Sequence, residues 1–150
     1  MRNPLDSMRI RRGLPNHRFG MVRNGGTRAH QGWDLTALIG TPIYAVADGT
    51  IEFVRINQGD YGTQICMSFA HPTEAGTTLY AFYAHLSLAG VAELTPITEG
   101  MVIGATGNSG NASGLPAIED QHLHFEIRTE LSPGRGLGGR LDPALFFTTI

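Results

Sequence analysis

The sequence predicts a mainly β fold, a single domain of many short strands, and three observations carry that prediction. Hydrophobic residues make up 41% of the chain and charged residues 16%, a balance that builds a core and excludes disorder. Twenty glycines and 8 prolines in 150 residues interrupt the chain too often for long helices. The apolar runs are short, rich in Val, Ile, Phe and Tyr, and bounded by turn residues. A chain of this length forms one domain, taken as 1–150, with a sizeable core. None of its apolar runs approaches the roughly 20 residues of a membrane-spanning helix.

In chain order, residues 1–18 read as an irregular N-terminal extension. Arg2, Arg9, Arg11, Arg12, Arg18, Arg23 and Arg28 crowd this end, and the chain has no lysine. Arginines scattered among Gly, Pro and Asn read as a solvated surface, not as a nucleic-acid site. His17 reads as a surface residue. No apolar stretch of a secretory signal follows the N-terminus. The segment Thr41–Val54 reads as two strands joined at the turn dipeptide Asp48-Gly49. Asn57–Gly62 is a second turn, feeding a strand through Cys66, the only cysteine, which reads as a small core residue. His71 should lie exposed at a hairpin end. The aromatic strand Thr78–His85 follows, then a loop from Gly90 to Gly100 and a short strand Met101–Gly104. Ala105–Asp120 reads as a long loop of the kind that is often functional. Leu141–Phe147 suggests a short C-terminal helix, with Asp142 as cap and Pro143 at its first position.

The chemistry concentrates in Gln121–Glu126. As a strand, it places His122, His124 and Glu126 on one face and Leu123 and Phe125 on the other. Imidazole is both the commonest protein ligand for transition metals and the usual proton carrier near neutral pH. His30 and Asp34 lie around Gly32, which lets the backbone turn tightly, and His85 ends a rigid strand. Two histidines and one carboxylate make a three-ligand catalytic zinc set that leaves a position for water. Two further histidines would then serve an oxyanion and a proton in flight. Spacing alone does not say which histidine does which.

Five segments together resemble the lysostaphin-type (LytM-like) zinc metallopeptidases that cut peptidoglycan peptides. They are His30-x-x-x-Asp34, Gly40-Thr41-Pro42 through Asp48-Gly49, Tyr83–Ser87, the glycine-rich run Gly100–Gly110, and His122-x-His124-Phe125-Glu126. The resemblance covers about residues 19–128, the expected core. It implies an antiparallel β-sheet or sandwich with an open groove and zinc (Zn2+) at its floor. It also implies His30, Asp34 and His124 as metal ligands and His85 and His122 as the catalytic pair. The implied activity is a zinc endopeptidase acting on peptidoglycan peptides in the periplasm or extracellular wall. The alternative is a zinc-containing module that binds peptidoglycan or activates amidases without cutting.

This chain departs from the family pattern at 110–121, a longer approach that should border the groove. Its Glu119 and Asp120 either select a cationic substrate group or are merely solvated. Without a visible signal, the resemblance leaves trimming, phage carriage or delivery as an antibacterial toxin. Delivery would bring a secretion machine and an immunity protein as partners.

Overall fold

Some apolar runs pair with their neighbours in the chain, and others find partners far away in sequence. The computed structural model describes residues 1–150. Its strands, in chain order, are β1 (Gly20–Arg23), β2 (Arg28–His30), β3 (Trp33–Thr36) and β4 (Pro42–Tyr44). The longest follow: β5 (Gly49–Gln58), β6 (Gly62–Ala70) and β7 (Thr78–Ala89). The last four are β8 (Pro96–Ile97), β9 (Val102–Thr106), β10 (His122–Arg128) and β11 (Arg140–Leu141).

β1 and β2 form a separate two-stranded ribbon. The other nine form one sheet along the path β11-β10-β7-β6-β5-β8. β3 runs beside the first half of β10, and β9 joins the far end of β7 and carries β4 on its other edge. Every pairing is antiparallel. The mainly antiparallel β fold read from the sequence is the fold of the protein. No helix is long and apolar enough to cross a membrane.

Strand alternation divides the sheet into two faces. Leu123, Phe125 and Ile127 of β10 enter the main core beside Trp33, Leu35, Ile65 and Tyr83, each at most 1% exposed. Burying a side chain of this size stabilises by about 1.5–3 kcal/mol, so these positions anchor β10 firmly. The opposite face carries a small cluster of Phe53, Cys66, Phe82 and Ala84, walled by Tyr61 and Tyr80. His124 and Glu126 stand on that second face, opposite Ala84 and Phe82 in register. One face of β10 is thus fixed by hydrocarbon, and the other is left for chemistry.

The turn dipeptides lie where the sequence indicates, but the strands they join do not always pair with each other. Asp48-Gly49 does join two strands, yet β4 pairs with β9 and β5 with β6, so they do not form a hairpin. The Asp48 carboxylate instead accepts from the Glu99 amide at 2.8 Å. Cys66 is fully buried and burial pushes its thiol up to about 12, so it is a core residue and no nucleophile. His71 is half-buried, and its Nδ1 accepts from the amides of Thr73 and Glu74, closing its own loop. The C-terminal helix is one 3-10 turn, Pro143–Leu145, capped by Asp142 through the Ala144 amide.

The N-terminal extension is better anchored than its composition suggests. Ile10 bridges to Leu35, and the Thr36 amide donates to the Arg9 carbonyl. Ile150 closes on the same segment, donating to Met8 and accepting from Ile10. Residues 8–10 therefore lie against β3, the strand that carries Asp34.

Candidate active site

β3 and β10 set the centre of the site. Their register places His124 directly opposite Asp34, with Phe125 opposite Trp33 locking the alignment from the core side. His30 reaches the same point from the end of β2, across the tight passage at Gly32. A Cβ at Gly32 would collide with the Phe125 carbonyl oxygen, so only glycine lets the chain pass β10 this closely.

The structure gathers His30, Asp34 and His124 so that one donor atom from each lies within 4.8 Å of the others. Asp34 Oδ1 is 3.1 Å from His30 Nε2 and 3.0 Å from His124 Nδ1. The outward nitrogens are anchored. His30 Nδ1 donates to the Arg18 carbonyl at 2.8 Å, and His124 Nε2 donates to Glu126 Oε1 at 2.9 Å. These bonds turn the other ring nitrogens toward the shared point, the arrangement seen in protein zinc sites. Two imidazoles and one carboxylate, buried and convergent, fit Zn2+ in a three-ligand catalytic site.

His85 and His122 stand beside that point. Their rings are 5.1 Å apart, and His85 lies 6.0 Å from His124. His122 Nδ1 donates to the Asp120 carbonyl at 2.7 Å, and His85 Nδ1 to the Ser109 carbonyl at 2.9 Å. Each ring therefore carries its proton at Nδ1 and offers the Nε2 lone pair. Burial lowers both imidazoles, His85 to about 3, so both are neutral at physiological pH. His85 does not simply end a strand. It sits inside β7 with φ 61°, where the pairing to β6 shifts register between Tyr83 and Leu86. A non-glycine residue in this left-handed conformation costs about 1–3 kcal/mol, and here the bulge re-aims the imidazole toward the groove.

Several participants were not legible in the sequence. Glu126 is fully buried, yet every lone-pair direction is used. Oε1 accepts from His124 and from the Tyr61 hydroxyl at 2.9 Å, and Oε2 accepts from Arg128 at 2.6 Å and Arg140 at 2.9 Å. Burial opposes its charge, but His124 and the two guanidiniums hold it well below the usual carboxylate range. Its place on the His122/His124 face was visible, but its partners were not. Gln31 adds a further bond to the Tyr61 hydroxyl. His17, read as a surface residue, is 7% exposed and lies against Asp34. Glu119 and Asp120 do not face an open groove: Asp120 is bonded to Arg11 and Arg12, and Glu119 lies 3.8 Å from Arg12.

The groove over this point has a volume of about 630 Å³. Its walls include Arg28, Asp60, Tyr61 and Arg135, and the 110–121 segment borders it through Asn111 and Leu115.

Peptidase family M23 matches residues 28–137, a span that contains all five histidine and aspartate positions. The chain belongs to this metallopeptidase family. Among M23 relatives, it is 31% identical over 127 residues to the peptidoglycan DD-endopeptidase ShyC of Vibrio cholerae, covering 85% of this chain and 26% of that protein. It is 37% identical over 106 residues to the DD-carboxypeptidase/endopeptidase Mpg of Neisseria meningitidis, covering 71% of this chain and 21% of that one. The chain thus spans about a quarter of these M23 relatives' length. The catalytic domain of lysostaphin from Staphylococcus simulans superposes with a TM-score of 0.62 at 28% identity, covering 86% of this chain and 85% of that one. A zinc-containing peptidase from Vibrio cholerae superposes with a TM-score of 0.61 at 26% identity, covering 83% of this chain and 35% of that one.

One pH effect follows from the M23 centre itself. Burial lowers the His124 imidazole, but the Asp34 and Glu126 carboxylates on either side outweigh burial and push it up to about 9. In the metal-free protein at neutral pH, His124 is therefore an imidazolium, and Nδ1 would have to lose its proton to hold a metal ion. Zinc uptake should release about one proton per ion, and affinity should rise with pH until about 9. Calorimetry in buffers of different ionisation enthalpy counts that proton; uptake without release would show His124 already neutral.

Proposed function

We propose that this chain is a zinc endopeptidase that hydrolyses amide bonds in the peptide cross-links of peptidoglycan. The observation that carries the reading is the pairing of a buried His-Asp-His ligand set with two further histidines, each anchored through Nδ1, at the floor of an open groove. His30, Asp34 and His124 would hold the metal. Zinc bound there supplies Lewis-acid polarisation of the scissile carbonyl and lowers the pKa of a bound water toward ~7.

The protein's own groups account for the remaining work. With its Nδ1 proton committed to a carbonyl, each of His85 and His122 has a free Nε2 lone pair, and one of the two takes up the single proton released as water attacks. The resulting imidazolium donates from Nε2 to the developing oxyanion or to the leaving amine. Burial favours return of that proton, which resets the pair. A groove of this size can seat an extended peptide, and its walls offer exposed guanidiniums at Arg28 and Arg135. These suit carboxylate-bearing stem peptides better than neutral glycine bridges. The DD-endopeptidase relatives support the same direction. Such a substrate places the site of action in the periplasm or outer cell wall.

The test is mass spectrometry of fragments released from purified sacculi of Gram-negative and Gram-positive type, with and without chelator. Chelator-sensitive loss of cross-linked dimers is expected, chiefly from the Gram-negative type. Zinc-loaded protein that releases nothing from either would replace this reading with a binding module.

A further inference from the structure

Asp34 has two carboxylate oxygens, and only Oδ1 faces His30 and His124. Oδ2 is turned toward the N-terminal segment. His17 Nδ1 lies 3.1 Å from it, Arg23 Nη2 3.1 Å, and Arg11 Nη1 3.6 Å. A carboxylate oxygen can only accept, so His17 must carry its proton on Nδ1 and donate it. The ring is buried and serves no other part of the site described above. His17, Arg23 and Arg11 all lie before residue 28, where the match to the peptidase family begins. The five motif positions alone therefore do not supply this contact.

We propose that His17 and Arg23 are positioning residues for the metal carboxylate. Their bonds to Oδ2 stop the carboxylate from rotating, so that Asp34 presents a single oxygen to the ion. A ligand held in place before binding loses less freedom when the ion arrives. One oxygen in place of two also keeps a coordination position for water. The same segment supplies the Arg18 carbonyl that orients His30, so it supports two of the three ligands from behind. Arg11 divides itself between Asp34 and Asp120, and its contact with Oδ2 is the longest of the three.

The inference rests on the metal-centre reading, and its test separates the two. Zinc affinity is measured by competition with a chromophoric chelator, and ligand geometry by the visible spectrum of the cobalt-substituted protein. His17→Ala should weaken zinc binding about 10- to 100-fold, the usual cost of losing a group that orients a ligand, and should shift the cobalt bands. His17→Asn places an amide donor where Nδ1 stood and should restore most of both. Arg23→Met should weaken zinc binding in the same direction, but less, because its guanidinium is partly solvated. Parent-like affinity and spectrum in His17→Ala would overturn the proposal. So would a His17→Asn protein as weak as His17→Ala, since the ring's volume and not its hydrogen bond would then matter. Absence of stoichiometric zinc in the unaltered protein would instead defeat the metal centre itself.

Discussion

Asp34→Asn should lose stoichiometric zinc, and hydrolysis should fall on the order of 10³–10⁴-fold or to background. The amide is a poor ligand, and metal polarisation of a carbonyl is worth several kcal/mol of transition-state stabilisation. The substitution also removes the negative charge that faces His17 and Arg23, and one of the two that face Arg11. Asp34 is 2% exposed, so water cannot replace the lost charge. Breaking a buried ion pair from one side costs about 3–5 kcal/mol, and the fold should lose part of that. In the native protein burial opposes ionisation of Asp34, but the hydrogen bonds from His124 and His17 hold it well below the usual carboxylate range. Metal analysis, turnover and thermal melting on one preparation check all three effects. Retained zinc would remove Asp34 from the ligand set.

The second large effect should spare the metal. His122→Ala and His85→Asn should keep zinc and lose about 10²–10⁴-fold in turnover, the usual contribution of a positioned acid or base. Asparagine is chosen at His85 because it tolerates the left-handed backbone there, so the loss reports the imidazole and not the bulge. The double variant should lose less than the product of the two, because the pair handles one proton between them. Zinc lost from His122→Ala would exchange the roles of His122 and His124.

What could be read from the sequence followed the range of the interaction. The alternation of His122, His124 and Glu126 against Leu123 and Phe125 is a property of neighbours in one strand, and it is visible in six residues. So is the turn at Asp48-Gly49, although nothing local says that β4 will seek β9 and not β5. The burial of His17 is hidden in the sequence for the same reason. Its partner is 17 residues away across irregular chain, with no periodicity to signal burial. Glu126 carried its facing direction in the sequence, but its partners Tyr61, Arg128 and Arg140 come together only through the sheet. The left-handed backbone at His85 has no local signature at all, because a bulge between paired strands creates it.

The register that sets Asp34 against His124 joins residues 90 positions apart. Closing so long a segment is entropically slow, and such pairings form only once intervening structure shortens the search. His30 and Asp34 leave the ribosome well before His124 exists, and two donors without the third make a weak site. Full-strength metal capture therefore waits until β10 has seated between β3 and β7, which makes zinc uptake a report on the completion of folding and not on its start.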